Sequence, residues 1–175
     1  MATFKIDTAH SEIGFKIKHL MISSVSGVFK KFDATIETDT EDFSDAKISF
    51  TADVDSIDTK DAQRDTHLKS DDFFNAEQYP LLKFTSTSIQ RKSDNESIVT
   101  GDLTIRDVTK PVDLYVEYNG TVTDPWGQVK AGFDISGKIS RQDYGLKWNA
   151  LTEAGGMVVG DDVKLHLLIE LQKQA

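Results

Sequence analysis

Reactive chemistry at neutral pH draws mostly on cysteine and histidine, and this chain has no cysteine and four histidines: His10, His19, His67 and His166. Without thiols there is no disulfide, zinc-thiolate site, iron–sulfur cluster or cysteine nucleophile. No two histidines have ligand spacing on a helix or share one strand face, and His10 and His19 would point to opposite sides of a regular strand. No metal and no cofactor is called for. His166 alternates with the apolar residues of the last run and so faces outward. The sequence lacks a GxSxG elbow, a GxxxxGK[ST] phosphate loop, a GxGxxG turn and an HExxH helix. Nothing marks a nucleophile, and no catalytic residue is assigned.

The segment RDTHLKSDDFFNAEQYP, residues 64–80, gathers charge and aromatic rings in one place. Thr59 or Asp58 can cap a short helix through KDAQRDTHLK, with Asp61 and Asp65 in its early turns. Ser70 can cap a second helical turn through DDFFNAEQ, which Pro80 ends. Arg64 and His67 stand three residues apart on one helix face and could hold an anionic headgroup, Arg64 through its forked donors. Ion pairing with Asp61, Asp65 or Asp71 is the more economical reading of the same two residues. Leu68, Phe73 and Phe74 form the apolar side of the insertion, which would brace or plug a sheet and wall any cavity beneath it.

The elements that must position these residues have a period of two. Ile13, Phe15 and Ile17 share a face against Lys16 and Lys18; Ile48, Phe50, Ala52 and Val54 share another. The runs PVDLYVEY, VKAGFDISGKIS and VKLHLLIELQK alternate in the same way, as strands with one dry and one wet face do. Adding FKID, GVFKKFDATIE, LLKFTSTSI and SIVTGDLTI gives about eight to ten strands, with turns expected at 92–97, 123–128 and 154–162. Such strands must hide their apolar faces in a closed barrel or a sandwich, and patterning does not separate the two. A barrel of about eight strands is either packed or hollow enough for one small ligand. There are ten phenylalanines to fill or line it.

With 175 residues, 38% hydrophobic and without repeats or linkers, the chain reads as one domain over 1–175. A net charge of -9 argues against nucleic acid, which needs a basic surface, and against docking on anionic headgroups. No signal peptide or apolar run long enough for a transmembrane helix is present, so a cytoplasmic location is expected.

Five blocks then carry a resemblance. DTAHSEIGFKIKHLMISSVSGVFKKFDATI, DTKDAQRDTHLKSDDFFNAEQYPLLKFTST, GDLTIRDVTKPVDL, DPWGQVKAGFDISGKISRQDYGLKW and VGDDVKLHLLIEL resemble, in order, the YceI family of polyisoprenoid-binding-like proteins. Asp107 stands where members of that family usually carry glycine, and aspartate tolerates a left-handed turn. The resemblance implies an all-β, extended antiparallel barrel of about eight strands, lipocalin-like, with a short helical segment near residues 59–78. It also implies non-catalytic binding, storage or transport of a long-chain isoprenoid or similar amphipathic lipid. The residues expected around the tail are Phe15, Ile17, Phe32, Phe50, Phe73, Phe74, Phe84, Leu103, Ile105 and Phe133, with Arg64 and His67 at the polar end. A packed barrel acting through protein contacts, as a homodimer or otherwise, is the alternative. An enzyme acting on an isoprenoid lipid, with His67 or His10 as base, is the lesser one.

Overall fold

In the computed structural model, which describes residues 1–150 and 158–175, the alternating runs form eleven strands. They are β1 (Ala2–Ile6), β2 (Glu12–His19), β3 (Ser23–Phe29), β4 (Phe32–Thr38), β5 (Lys47–Asp53), β6 (Ile57–Asp58), β7 (Leu81–Arg91), β8 (Glu96–Ile105), β9 (Val108–Thr123), β10 (Val129–Ser140) and β11 (Val159–Lys173). Eight of them close a barrel in the order β1-β4-β5-β7-β8-β9-β10-β11, sealed where Phe4 and Ile6 of β1 meet Lys173 and Leu171 of β11. Every pairing is antiparallel, and closure removes the exposed edges of the eight strands.

The remaining three strands extend one end. β1 and β2 run along β11 as one interrupted strand. Between them a single 3-10 turn over Thr8–His10 begins at Asp7, whose side chain accepts from the Ala9 N–H at 3.1 Å. β2 covers the first part of β11, from Val159 to Leu168, and carries β3 and then β6 on its other side. The run GVFKKFDATIE, expected as one strand, is two: the chain turns at Lys30–Lys31, β3 staying with β2 while β4 joins β1 and β5. β9 is longer than its periodic run. It pairs with β8 from Val108 to Glu117 and with β10 from Tyr115 to Thr123, so Pro111 falls where only one side is paired. Two expected turns stand, between β7 and β8 and between β9 and β10. In the third, Val159 to Asp162 are already strand, and 154–157 lie outside the described residues.

The helix is α1 (Ala62–Lys69), and no helix among the described residues is long and apolar enough to cross a membrane. Its cap is Asp61, whose carboxylate accepts from the Gln63 and Arg64 N–H groups at 3.1 Å, rather than Thr59 or Asp58. Lys60 takes a left-handed φ of 64°, which postpones the helix start past Thr59. Residues 71–78 are turns, not a second helical turn. The Phe74 and Ala76 N–H groups reach back to the Leu68 and Lys69 carbonyls, and Asn75 is left-handed, so the chain folds back under α1. Arg106, from the β8–β9 turn, pins this fold-back by donating to the Asp71 and Phe73 carbonyls and to the Asp71 carboxylate. In that turn the left-handed residue is Arg106 (φ 56°), not the expected Asp107.

Candidate functional site: the barrel cavity

The barrel is hollow. A cavity of about 450 Å³ runs between the α1 end and the loop joining β4 to β5. Of the twelve expected residues, Phe15, Ile17, Phe50, Phe73, Phe74, Phe84, Leu103, Ile105, Phe133, Arg64 and His67 all line it. Phe32 does not. As the first residue of β4 it packs against the core beyond the cavity wall, and Ala34 and Ile36 take that strand's lining positions. Two glycines make room for the largest rings. The Phe15 ring lies so close to Gly27 on β3 that a side chain there would overlap it, and the Phe84 ring lies equally close to Gly101 on β8.

The end under the β4–β5 loop is mainly aromatic, with Asp42 of that loop also in the lining. Phe43 comes from a polar stretch with no periodicity, is 8% exposed, and takes a left-handed φ of 60°. Its ring centroid lies 5.0 Å from Phe4, 5.1 Å from Phe133 and 5.9 Å from Tyr118. The loop is held by Asp45, whose carboxylate accepts from the Thr38 and Thr40 hydroxyls and from the Asp39 and Thr40 N–H groups. These bonds push its pKa well below the usual carboxylate range.

The α1 end is where polarity enters. Arg64 donates from Nε to the Thr59 hydroxyl at 2.8 Å and from Nη2 to the Thr59 carbonyl at 2.7 Å, and lies 3.8 Å from Asp61. Asp65, one of its expected partners, instead accepts from the N–H and hydroxyl of Thr59. His67 is held at 2.8 Å by Asp72, a partner not foreseen, and its ring meets Phe73 and Trp148 edge-on. The side chain that periodicity missed altogether is Arg141. It is 2% exposed and lines the cavity, yet it has no carboxylate partner among the described residues. Its donors go to the carbonyls of Leu146, Trp148, Val159 and Gly160 at 2.5, 2.8, 3.3 and 2.7 Å. Burial pushes its pKa down from the usual arginine value. Four carbonyls on one guanidinium tie the end of β10, the segment after it and the start of β11 into one rim.

The other histidines are elsewhere or differently placed. His19 lines the cavity near the end of β2, and His166 is exposed on the outer face of β11. His10 is on the 3-10 turn, off the cavity, which removes it as a base for anything bound inside. Its Nδ1 lies 2.9 Å from Asp7 and 3.3 Å from Glu170, and the ligand atoms of these three residues fall within 4.8 Å of one another. Lys130 already supplies a cation there, its Nζ 2.7 Å from the Asp7 carboxylate. That bond, with help from His10 and against the opposing effect of burial, lowers the Asp7 pKa to about 2.

The same barrel is found in known proteins. A model of the YceI-like domain matches residues 4–171. A UPF0312 protein of Staphylococcus epidermidis is 42% identical over 171 residues, 97% of either chain. Another, of Photorhabdus laumondii, is 45% identical over 148 residues, 83% of this chain and 77% of that one. Among solved structures, the YceI protein of Campylobacter jejuni superposes with a TM-score of 0.78 at 34% identity, covering 97% of this chain and 96% of its own. Burkholderia cenocepacia BcnA gives 0.82 at 25% identity, over 94% and 98%. A polyisoprenoid binding domain from Saccharophagus degradans, at 14% identity and a TM-score of 0.73 over 98% of either chain, shares the fold. The lipocalin-like barrel, the α1 insertion and the sequence blocks thus coincide with one pattern from residue 4 to residue 171, and the chain belongs to the YceI family.

Proposed function

We propose that the protein binds an amphipathic lipid with an isoprenoid or similarly long apolar tail in the barrel cavity, and stores or moves it without changing it chemically. The observation that carries this reading is the cavity itself: a barrel of this size can be packed solid, and this one keeps about 450 Å³ walled by aliphatic and aromatic side chains. Burying a tail there is favourable at about 25 cal/mol per Å² of apolar area, so retention needs no strong headgroup contact. Phe15, Ile17, Phe50, Phe84, Leu103, Ile105 and Phe133 form the tail wall; Phe73 and Phe74 close it beneath α1; Arg64 and His67 stand at the polar end. The shared barrel of the polyisoprenoid binding domain from Saccharophagus degradans supports the same ligand class.

Native mass spectrometry of protein purified from its own host without detergent tests the proposal. A discrete adduct that organic solvent releases, and that the cavity-filling variant Leu165→Trp loses while Arg64→Ala largely keeps, is the expected result. Bare protein that also refuses added quinones and prenyl phosphates would turn the reading toward a barrel that works through protein contacts.

A further inference from the structure

Two features outside the cavity meet at its α1 end. The turn between β2 and β3 exposes three consecutive apolar residues, Leu20, Met21 and Ile22, at 39%, 61% and 84%. Large hydrophobics this exposed are few among the described residues, and no others adjoin in sequence. Their display is built in. Leu20 and Met21 both take left-handed φ values, 54° and 61°, which bulky residues rarely adopt. The turn is tied down by the Leu20 N–H on the Val158 carbonyl and the Ile22 N–H on that of His19.

The second feature is a cationic row on the outer face beside this turn. The pairing register sets Lys138 opposite Lys164, and Lys164 opposite Lys16, so three lysines lie side by side across β10, β11 and β2. Lys18 follows on the same face of β2. Like charges directly opposite one another weaken a sheet, so such a row is a cost to the fold alone. Among the described residues only Lys138 has a carboxylate partner, Asp162 at 3.7 Å. Asp161, the other carboxylate near this end, takes the Ser140 hydroxyl and the Gln142 N–H. At roughly 3.3 Å per residue, Lys18 stands about 7 Å and Lys16 about 13 Å from Leu20, near the Debye length of about 10 Å in 0.1 M salt. The net charge of -9 is therefore not spread evenly: four of the chain's twenty Lys and Arg residues gather on this face, with Glu12 and Asp113 bordering the same groove as Lys16, Lys138 and Lys164.

We infer that the Leu20–Ile22 turn inserts into the headgroup–acyl boundary of an anionic bilayer while Lys16, Lys18, Lys138 and Lys164 lie over its phosphates. An apolar tip flanked by lysines is the composition of an interfacial anchor. A three-residue tip is too small to centre a stable protein interface, which needs about 1,000 Å². Lys18, His19 and Val25, next to the turn, also line the cavity, so the docked orientation would bring the cavity end to the membrane. The inference concerns the outer surface and stands whether or not the cavity holds a lipid.

Co-sedimentation of the full chain with phosphatidylcholine vesicles, with and without one-third phosphatidylglycerol, tests it. Binding is expected only to the anionic vesicles and is expected to weaken with salt. It should fall about twenty-fivefold in Lys16→Gln/Lys164→Gln, at roughly fivefold per lysine, and by a comparable factor in Met21→Ser/Ile22→Ser. Fluorescence gained in the Ile22→Trp variant should be quenched by brominated acyl chains, which a merely electrostatic contact would not produce. Unchanged binding in both double variants would overturn the inference, as would an unquenched Ile22→Trp signal. So would concentration-dependent self-association that Met21→Ser/Ile22→Ser abolishes without vesicles present, since the tip would then join copies of the chain. Native mass spectrometry of the same variants separates this from the cargo question: an adduct retained while vesicle binding is lost supports both readings, and vesicle binding with no adduct supports docking alone.

Discussion

Removing the ring of Phe43 should be among the most damaging single truncations in the barrel, although the residue comes from an acidic loop. A buried phenylalanine covers about 150–250 Å². At about 25 cal/mol per Å² that is roughly 4–6 kcal/mol, and measured Phe→Ala losses in cores run about 3–5 kcal/mol. The hole cannot close by loop collapse, because the Asp45 carboxylate holds Thr38, Asp39 and Thr40 in place. We therefore expect Phe43→Ala to cost about 4 kcal/mol in urea unfolding and Phe43→Leu, which keeps an apolar plug, about 1–2 kcal/mol. The left-handed φ of 60° adds an internal check. Glycine usually destabilises relative to alanine, but at such a φ alanine carries a penalty of about 1–2 kcal/mol that glycine does not. Phe43→Gly should accordingly be no worse than Phe43→Ala. A Phe43→Ala loss under 1 kcal/mol would refute the plug, and a glycine variant clearly worse than alanine would refute the backbone argument. Phe43 also lines this end of the cavity, so on the proposed reading its removal should let the protein retain longer tails.

Arg141→Ala should cost about 3–5 kcal/mol, because the carbonyls of Leu146, Trp148 and Gly160 lose the guanidinium donors at once, while that of Val159 keeps the Asn149 amide. Arg141→Lys should recover less than half of that, since an ammonium cannot reproduce the guanidinium fork; equal urea midpoints for the lysine variant and the unaltered chain would show the fork to be dispensable. The Asp7 carboxyl is depressed to about 2, first by the Lys130 bond. Its contribution is thus fully present above the unfolded value near 3.9 and lost as pH falls through 2. The melting temperature should drop between about pH 5 and pH 2, and less steeply in Asp7→Asn. Asp42 and Asp45, also depressed, should keep the slope from vanishing.

Period-two alternation located most strands, and the same signal contained two breaks that a count of apolar residues passes over. Inward positions are even in β1 (Phe4, Ile6) and odd in β2 (Ile13, Phe15, Ile17), and the change falls at the 3-10 turn. They are odd in β3 (Val25, Phe29) and even in β4 (Ala34, Ile36), and the change falls at Lys30–Lys31. A slip of one residue turns every side chain to the other face, so a parity switch within an apolar run marks a chain that has changed sheet position. Reading GVFKKFDATIE as one strand missed that; Phe32 shares the even parity of Ala34 and Ile36, and its place at the very start of β4, not its parity, leaves it out of the cavity. Ile135, Leu165 and Leu167 were already on the correct parity and could have been assigned to the lining. Phe43, Arg106, Arg141 and Trp148 could not, because each acts through partners distant in sequence or through backbone carbonyls that no residue pattern records.

The two ends of the cavity differ in kind, and this fixes how a guest must lie. At the β4–β5 end the wall is mainly aromatic, Phe43 packing with Phe4, Tyr118 and Phe133, and the one carboxylate there, Asp42, would repel an anionic head. At the α1 end the lining includes the half-buried Arg64 and His67 and the fully buried Arg141, near the Leu20–Ile22 turn. On the proposed reading, an amphipathic lipid therefore has one low-energy orientation, tail toward Phe43 and head beside α1. The barrel ladder holds the walls apart at a spacing its own side chains do not fill, so the apolar surface left inside is relieved by a guest rather than by collapse. A head at the α1 end is also the part that would meet a bilayer first if the β2–β3 turn docks there. On the two proposals together, the charged segment at residues 64–80 and the apolar turn at 20–22 serve the same opening, one closing over it and the other directing it.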